Sequence, residues 1–214
     1  YEYPPIGGGG GTASQFLAKE LLRLGHSVEV VTTAFRDTPR DFREGAYRVR
    51  RLPAPRHNAS RCEPYEMASY AAMACAYLFF RGGPKPDALI SFHSIPSGMA
   101  AWPLSILWRK PHVIMFCGGD VPGNVPDKTE KYHKRTKWLN RMIVRQAAAR
   151  LANSNGLAAL ARSAFPGVEI GIVRNGVDPE VFAPAPEPRG EGELRMLFVG
   201  RLCAEKALDI LFPA

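Results

Sequence analysis

Apolar and polar positions fall in blocks whose period changes repeatedly along the chain. Short apolar runs rich in β-branched residues predict strands, and longer runs with an apolar stripe every three or four residues predict helices. The predicted strands are 27–33, 47–52, 87–92, 112–116, 150–153 and 169–173, and the predicted helices begin at Thr12, at Glu63, before Met99, near Lys128 and at Asn155. This alternation over short connections predicts an α/β fold, a doubly wound and mainly parallel sheet with helices on both faces.

Three details of the pattern make finer predictions. The valines of 27–33 favour a strand that is buried on both faces. The arginines that alternate with apolar residues in 47–52 are typical of a strand near a sheet edge. Ahead of the first helix, Gly7–Gly11 predict a loop of five glycines, and Gly25 is expected to end that helix.

A proline-rich segment divides the chain. Asn175-Gly176 and Asp178-Pro179 favour turns, and the prolines that follow as far as Pro188 resist helix and sheet interiors. Beyond them, Leu194–Val199 predicts a buried strand that ends at Gly200. We therefore predict a Rossmann-like first domain at 1–174, a hinge at 175–192 that contains Asn175, Gly176 and Asp178, and the first strand and helix start of a second domain at 193–214.

Composition and cysteine spacing favour a globular protein without disulfides or a metal site. Of 214 residues, 46% are hydrophobic and 22% charged, as expected for a globular domain with a core. Cys62, Cys75, Cys117 and Cys203 form no Cys-x-x-Cys pair and have no histidine partner at ligand spacing, which favours reduced thiols over disulfides or a metal site. The longest apolar run, Met67–Phe80, is shorter than the ~20 residues of a membrane-spanning helix. We therefore predict a cytoplasmic protein.

The net charge of +8 is concentrated in one helix, because eight basic residues lie between Lys128 and Arg150 against Glu130 alone. A basic stripe around an indole suits an anionic membrane surface or a lipid-linked substrate, although a solvated helix face is the simpler interpretation. Because the rest of the chain is nearly neutral, we predict no nucleic-acid partner. The stripe consists of Lys134, Lys137, Trp138, Arg141 and Arg145.

The glycine loop is the first candidate for binding chemistry. Glycines let the backbone approach a ligand closely, and a helix that starts there presents free N–H groups to an anion. Gly8, Gly10 and Ala13 also fit the Gly-x-Gly-x-x-Ala dinucleotide pattern, with Glu29 as the residue for a ribose. That NAD-binding alternative requires a strand running into the first glycine, and Pro4-Pro5 argue against one. A loop without a ligand is a third interpretation.

Further candidates follow predicted strands, where functional residues of parallel sheets collect. His93 follows 87–92 and suits a base or a hydrogen-bond donor, but a lone histidine is more often structural. Asp120 follows Gly118-Gly119 and is equally well explained as a turn-capping carboxylate. After Gly200, Arg201 and Lys206 suit a diphosphate, with solvated surface charge as the alternative.

Taken in order, these motifs resemble the retaining glycosyltransferases of family 4, which have the two-domain GT-B architecture. The resemblance runs through nearly the whole chain. It is carried by Tyr3-Pro4-Pro5 with the glycines, Phe92-His93-Ser94, Gly118-Gly119-Asp120-Val121-Pro122-Gly123, Asn175-Gly176-Val177-Asp178, and Phe198-Val199-Gly200-Arg201-Leu202 with Glu205-Lys206.

The resemblance implies hexosyl transfer from a nucleotide-sugar donor to an unidentified acceptor, without a required metal or cofactor. It implies that Gly8, Gly9 and Gly10 lie by the donor phosphates, that His93 and Asp120 line the catalytic cleft, and that Gly200, Arg201 and Lys206 hold the donor diphosphate. It also implies a strand ahead of Tyr3 and paired glutamates beyond Ala214, so we expect a fragment, truncated at both ends and inactive alone. A non-catalytic binding domain that uses the basic helix is the remaining alternative.

Overall fold

The structure is a computed structural model, and it describes residues 1–59, 61–124, 126–179, 181–183, 197–200 and 208–211. For 126–133 and residue 209, only the backbone is described. The chain divides into two compact units, Tyr1–Gly176 and Val177–Ala214. The boundary between them falls inside the segment that the sequence predicts as a hinge. Hinge motion itself stays a prediction.

Helices and strands alternate through most of the first unit, as the hydrophobic pattern predicts, but three strands follow one another between the first two helices. The helices of this unit are α1 (Gly9–Arg23), α2 (Pro64–Phe80), α3 (Ser97–Trp108), α4 (Pro126–Gln146) and α5 (Asn155–Ala164). The strands are β1 (Glu29–Thr33), β2 (Asp41–Glu44), β3 (Tyr47–Leu52), β4 (Leu89–Phe92), β5 (His112–Phe116), β6 (Ala149–Ala152) and β7 (Gly171–Ile172). A four-residue helix, α6 (Leu208–Leu211), belongs to the second unit.

The strands form two sheets. One has the order β4-β5-β6-β7 and is parallel throughout, with Ile90 opposite Val113 and Val113 opposite Ala149. The other has the order β1-β3-β2, in which β1 and β3 are parallel and β2 is antiparallel. The predicted α/β fold with a mainly parallel sheet is confirmed.

The strand predicted near a sheet edge, 47–52, is β3, which lies between β1 and β2 and is therefore next to a sheet edge but not at it. The edge strand is β2, a charged segment that the pattern did not predict. Its Asp41 carboxylate binds the guanidinium groups of Arg48 and Arg50 on β3, each with a contact of 2.8 Å. The alternating arginines of β3 are therefore matched by a carboxylate on the neighbouring strand.

Helices cover both faces of the first sheet. Val30 packs in a cluster with Ala18 of α1, whereas the next residue, Val31, packs in a cluster with Tyr70 and Ala74 of α2. Successive side chains of a strand point to opposite faces, so α1 and α2 lie on opposite sides of the sheet. Around the second sheet, α4 and α5 contribute Ile143 and Ala158 to the largest core cluster.

The predicted five-glycine loop is wrong in extent, since Gly9, Gly10 and Gly11 already belong to α1 and Gly8 is its N-cap. The predicted end of this helix is confirmed. Gly25 has a φ of +87°, and its N–H donates to the Leu22 carbonyl while the His26 N–H donates to Leu21. This is the hydrogen-bond pattern of a glycine that ends a helix in the left-handed conformation.

Two predictions for the later chain are corrected. Leu197–Val199 form no strand, and Leu197 and Val199 are 87% and 84% exposed instead of buried, because these residues pair with no neighbouring strand in the described part of the second unit. Asn175-Gly176 form no turn; the turn lies at Asp178, whose carbonyl accepts hydrogen bonds from the N–H groups of Val181 and Phe182. Arg201 and Lys206 lie outside the described residues.

Candidate functional site

The start of α1 and the ends of β4 and β5 meet at one edge of the first unit. Because β4 and β5 are parallel neighbours, their carboxyl ends share that edge, and His93 and Cys117 follow them directly. Gly10 lies against both: a Cβ atom built on Gly10 would be 3.3 Å from His93 Cε1 and 3.4 Å from Cys117 Sγ. Three segments far apart in sequence thus converge on one small region.

Asp120 ties the two strand ends together. Its Oδ2 accepts a hydrogen bond of 2.8 Å from the Ser94 N–H, and its Oδ1 accepts bonds of 3.1 Å from the N–H groups of Cys117 and Gly118. The residue is 4% exposed. A buried carboxylate that already accepts three backbone N–H groups is a structural acceptor, so the turn-capping interpretation describes its geometry.

His93 is held in an unusual backbone conformation. Its φ is +77°, a value that non-glycine residues rarely adopt. The conformation is fixed on both sides, since the His93 N–H donates to the Met115 carbonyl and the His93 carbonyl accepts from the Gly98 N–H. The Nδ1 atom is buried and has no hydrogen-bond partner among the described residues. Backbone strain with an unpaired polar atom is typical of a functional site.

Cys117 borders the same region, although in the sequence it is only one of four scattered cysteines. Burial raises the pKa of its thiol, and the nearby Asp120 carboxylate raises it further. The thiol is therefore neutral at physiological pH and donates to the Met115 carbonyl at 3.5 Å. A neutral, half-buried thiol shapes the region around His93 and is a poor nucleophile.

The first turn of α1 is open toward this region. A Cβ atom added at Gly8 or at Gly9 would meet no atom within 4 Å. The first N–H groups of a helix have no partner inside the helix, and the helix dipole places partial positive charge there. The glycines therefore present free donors and unobstructed space, which suits an anionic group such as a phosphate.

Tyr1 and Arg56 border the site, and no motif in the sequence indicates either of them. The Tyr1 ring meets the His93 ring edge-on, with 5.2 Å between the centroids. The Arg56 guanidinium lies over the Tyr1 ring at 5.2 Å and is 3.6 Å from the Glu2 carboxylate. Only the folded chain brings residue 56 next to residues 1 and 2.

Glu29 does not lie where the dinucleotide-binding alternative needs it. It begins β1, whereas the start of α1 lies by residues that follow the ends of β4 and β5. Its carboxylate is engaged by the Tyr77 hydroxyl at 2.9 Å and by the Arg81 guanidinium. No strand precedes Gly8 among the described residues 1–7. The structural context of a Rossmann fingerprint is thus not present around these glycines.

The basic stripe occupies the exposed side of α4. Lys134, Lys137 and Arg145 are exposed, Arg141 is half-buried, and Trp138 is 67% exposed. Ile143 on the opposite side is fully buried, so the helix has a basic, exposed side and an apolar, buried side. No helix in the described part of the chain is long and apolar enough to cross a membrane.

Comparisons with known proteins identify a family for most of the first unit and solved structures with a similar fold. Residues 8–176 match the family model described as a glycosyl transferase 4-like domain. A structure of sucrose-phosphate synthase from Thermosynechococcus elongatus shares the fold with a TM-score of 0.65 at 16% identity, over 83% of this chain and 45% of that one. A second structure of the same synthase gives a TM-score of 0.57 at 13% identity, over 79% of this chain and 87% of that one.

At these identities the likeness to the synthase is a likeness of fold. The chain spans less than half of the first of the two structures. No curated protein matches the sequence.

Proposed function

This chain belongs to the glycosyl transferase 4-like family, whose model matches residues 8–176, and on that premise we propose that it serves in sugar transfer from a nucleotide-sugar donor to an acceptor, with retention of configuration. The observation that carries the proposal is the convergence of the open first turn of α1 with His93 at the end of β4. Gly8, Gly9 and Gly10 would face the donor phosphates, and His93 would contact the reacting sugar.

The chemistry requires stabilisation of a departing diphosphate. Negative charge builds up on the phosphate oxygens as the bond to the sugar breaks, and fixed dipoles aimed at that charge lower the barrier. The free N–H groups at the start of α1 are such dipoles, and they need no reorganisation during the reaction. Neither a metal nor a cofactor is part of this proposal.

Asp120 would act as a positioning residue. Its hydrogen bonds to the Ser94, Cys117 and Gly118 N–H groups fix the backbone on both sides of the site. Because His93 directly precedes Ser94, the carboxylate holds the strained histidine in place without needing to contact the substrate. His93, with its unpaired buried Nδ1, is the better candidate for direct contact.

The donor side would come from the second unit, where Gly200, Arg201 and Lys206 are proposed to hold the diphosphate. The resemblance implies further donor contacts from paired glutamates beyond Ala214. We therefore expect residues 1–214 alone to turn over no nucleotide sugar.

Heat protection separates this proposal from an NAD-dependent enzyme. A ligand that binds only the native state raises the unfolding temperature. We expect protection of residues 1–214 by a nucleoside diphosphate such as UDP or GDP, and none by NAD. Protection by NAD alone would support the dinucleotide alternative, and rapid turnover of a nucleotide sugar would refute the expected inactivity.

A second candidate role, contact with an anionic membrane, is favoured by the exposed Trp138 among the cations of α4. An indole prefers the interface between lipid and water, and each nearby cation adds attraction to anionic lipids. This role is compatible with sugar transfer to a lipid-linked acceptor. It would place this chain at the cytoplasmic face of a membrane.

Sedimentation with vesicles that contain anionic phosphatidylserine tests this role. Changing Lys134, Arg141 and Arg145 to Glu should abolish sedimentation. The matched control changes three exposed cations elsewhere, Arg40, Lys85 and Arg109, to Glu and alters the net charge equally. Equal loss in both variants would mean that net charge, and not the α4 stripe, governs binding.

A further inference from the structure

An open cavity of about 580 Å³ lies at the carboxyl ends of β1 and β3. Its walls come from the loop 35–39 after β1, from Phe42 of β2, from Arg51 near the end of β3 and from Pro5 ahead of α1. Small-molecule sites have volumes of about 300–1,000 Å³ and collect where parallel strands end. We call this space the Arg51 cavity.

Arg51 is a buried cation without an anionic partner. It is 5% exposed, and its Nη1 and Nη2 donate to the carbonyls of Pro39 at 3.0 Å and Pro4 at 2.6 Å. Unlike the two preceding arginines of β3, it forms no ion pair with a carboxylate of the described residues, and its Nε has no hydrogen-bond partner among them. Arginine stays charged in proteins, and a buried charge without a counter-ion is costly. An anion in the cavity would offset that cost.

The residue beside Arg51 also has an unused polar group. Thr32 pairs in register with Arg51, so the two side chains point to the same face of the sheet. Thr32 is 1% exposed, and its hydroxyl has no partner among the described residues. Buried polar atoms normally bond to protein or to ordered water. Two unpartnered atoms on neighbouring residues are typical of a place that a polar molecule completes.

The loop after β1 adds a second cation to the cavity. Arg36 has a φ of +48°, a strained value for a residue other than glycine. Two hydrogen bonds hold the loop in this shape, from the Phe35 N–H to Thr38 Oγ1 at 3.0 Å and from the Thr38 N–H to the Phe35 carbonyl at 3.1 Å. Of the lining side chains, Arg36 and Arg51 are cationic and the exposed Asp37 is anionic. Two cations against one carboxylate make the lining positive.

Aromatic rings form the apolar part of the cavity. Phe35 and Phe42 line it, and their ring centroids lie 5.1 and 4.5 Å from the guanidinium carbons of Arg36 and Arg51, respectively. A mainly apolar wall with a few charged groups is typical of a small-molecule site. The C–H groups of a sugar ring are apolar and can pack on an aromatic face. The lining therefore suits a sugar better than a bare ion.

The Arg51 cavity lies close to the open first turn of α1. Pro5 lines the cavity, and Gly8, the N-cap of α1, follows it by three residues. Three residues of extended chain span at most about 11 Å. A molecule in the cavity would therefore lie near the glycines that face the proposed donor phosphates.

We propose that the Arg51 cavity binds a sugar that carries an anionic group, either a carboxylate or a phosphate. The anion would lie beside Arg51 and Arg36, and the sugar ring would pack on Phe35 and Phe42. That this sugar is the acceptor of the transfer reaction rests on the proposed function. Binding of an anionic sugar does not.

An NMR titration of residues 1–214 with glucuronate and, separately, with glucose 6-phosphate tests the proposal. At least one of them should give saturable shifts of the Phe35 and Thr38 amides and of the Arg51 Nε–H. Glucose at the same concentration should give none, because it carries no charge. Inorganic phosphate should bind about fivefold more weakly or worse, because it has no apolar surface for the aromatic wall.

A charge reversal at Arg36 shows whether the cavity charges bind the ligand. Arg51 itself holds two backbone carbonyls, so its replacement would also disturb the fold. Arg36 is exposed, and Arg36→Glu should weaken binding of the anionic sugar by about fivefold or more, since attraction becomes repulsion. The matched control is Arg174→Glu, which alters the net charge equally at another exposed position and should bind within about twofold of the parent chain.

Four results would overturn the proposal. They are the lack of saturable shifts at Phe35 and Thr38 with both anionic sugars, equally strong binding of glucose, equally strong binding of inorganic phosphate, and equal weakening by the two charge reversals. None of them depends on whether UDP or GDP shifts Gly9, Gly10 and His93. This proposal and the proposed sugar transfer can therefore fail separately.

Discussion

The Asp120 carboxylate accepts a hydrogen bond of 2.8 Å from the backbone N–H of Ser94, a residue that follows a different strand. With the bonds from Cys117 and Gly118, this contact locks the carboxyl ends of β4 and β5 together. His93 lies between β4 and Ser94, so its strained conformation depends on a side chain that lies 27 residues further along the chain.

Replacing Asp120 by Ala should destabilise the protein by about 3 kcal/mol, because hydrogen bonds to a charged group are strong and three buried N–H groups would lose their acceptor. Urea denaturation measures this change. Hydrogen exchange at Ser94 should accelerate as well. Asp37→Ala, a change at an exposed carboxylate, is the control and should have little effect. Equal loss in both variants would argue against the locking role.

The close approach of Gly10 to His93 predicts a difference between two neighbouring alanine substitutions. Gly10→Ala would bring a methyl group to 3.3 Å from His93 Cε1, whereas the methyl group of Gly9→Ala would meet open space. Both changes restrict the unfolded chain similarly, so Gly10→Ala should be the less stable variant by about 1 kcal/mol. It should also shift the NMR signal of the His93 ring. An unshifted signal would mean that the three segments do not meet as described.

Glu66 makes the stability of the protein depend on acid pH. Burial of this 2% exposed carboxyl raises its pKa, but hydrogen bonds from the Glu63 N–H and from His57 outweigh burial and lower the pKa to about 2. A lowered carboxyl pKa adds stability above the unfolded value of 4.5, and that stability is lost as the pH falls toward 2.

Denaturation of Glu66→Gln at several pH values checks this dependence. Compared with the parent chain, the variant should lose less stability as the pH falls from about 4.5 to about 2. Glu169→Gln, at an exposed position, should follow the parent chain. Parallel curves for the parent chain and Glu66→Gln would contradict the assignment.

The amino group of Tyr1 should give a pH dependence of the same sign in a higher pH range, between about 5 and 8. Its pKa falls from 8.0 in the unfolded chain to about 5 in the fold, so between these values the unfolded chain binds more protons and the free energy of unfolding rises with pH. Acetylation removes the titrating group. The difference in stability between the acetylated and the free chain should therefore shrink from pH 5 to pH 8. A constant difference would show that the amino group is not buried.

The hydrophobic pattern predicts most helices and strands of the first unit, because its strands are apolar enough to be recognised from the local sequence. The hydrophobic pattern does not predict β2, because Asp41, Arg43 and Glu44 are charged and the strand depends on ion pairs with arginines of β3. The start of α1 was placed too late because glycines disfavour helices. At position 11 a tertiary contact favours glycine, because a Cβ atom there would lie 3.0 Å from the Ile6 carbonyl oxygen.

The candidate site, too, could be predicted only in part from the sequence. His93, Asp120 and the glycines were recognisable from their places after strands and before a helix, but the sequence left their roles open. The Asp120 carboxylate accepts hydrogen bonds from three backbone N–H groups, which favours a positioning role for this residue. These N–H groups belong to residues on two separate loops. Tyr1 and Arg56 were not recognisable, because their approach to His93 and to each other exists only in the folded chain.

The measurement that most directly tests the proposed sugar-transfer site is an NMR titration of residues 1–214 with UDP and, separately, GDP. With at least one of them, the amides of Gly9 and Gly10 and the ring of His93 should show saturable shifts. Gly9→Asp should abolish these shifts, since a carboxylate at the start of α1 repels a diphosphate and competes for its donors. Gly156→Asp, in the first turn of α5 with equally open space, should retain them. Saturable shifts elsewhere in the chain, with Gly9, Gly10 and His93 unmoved, would contradict the account.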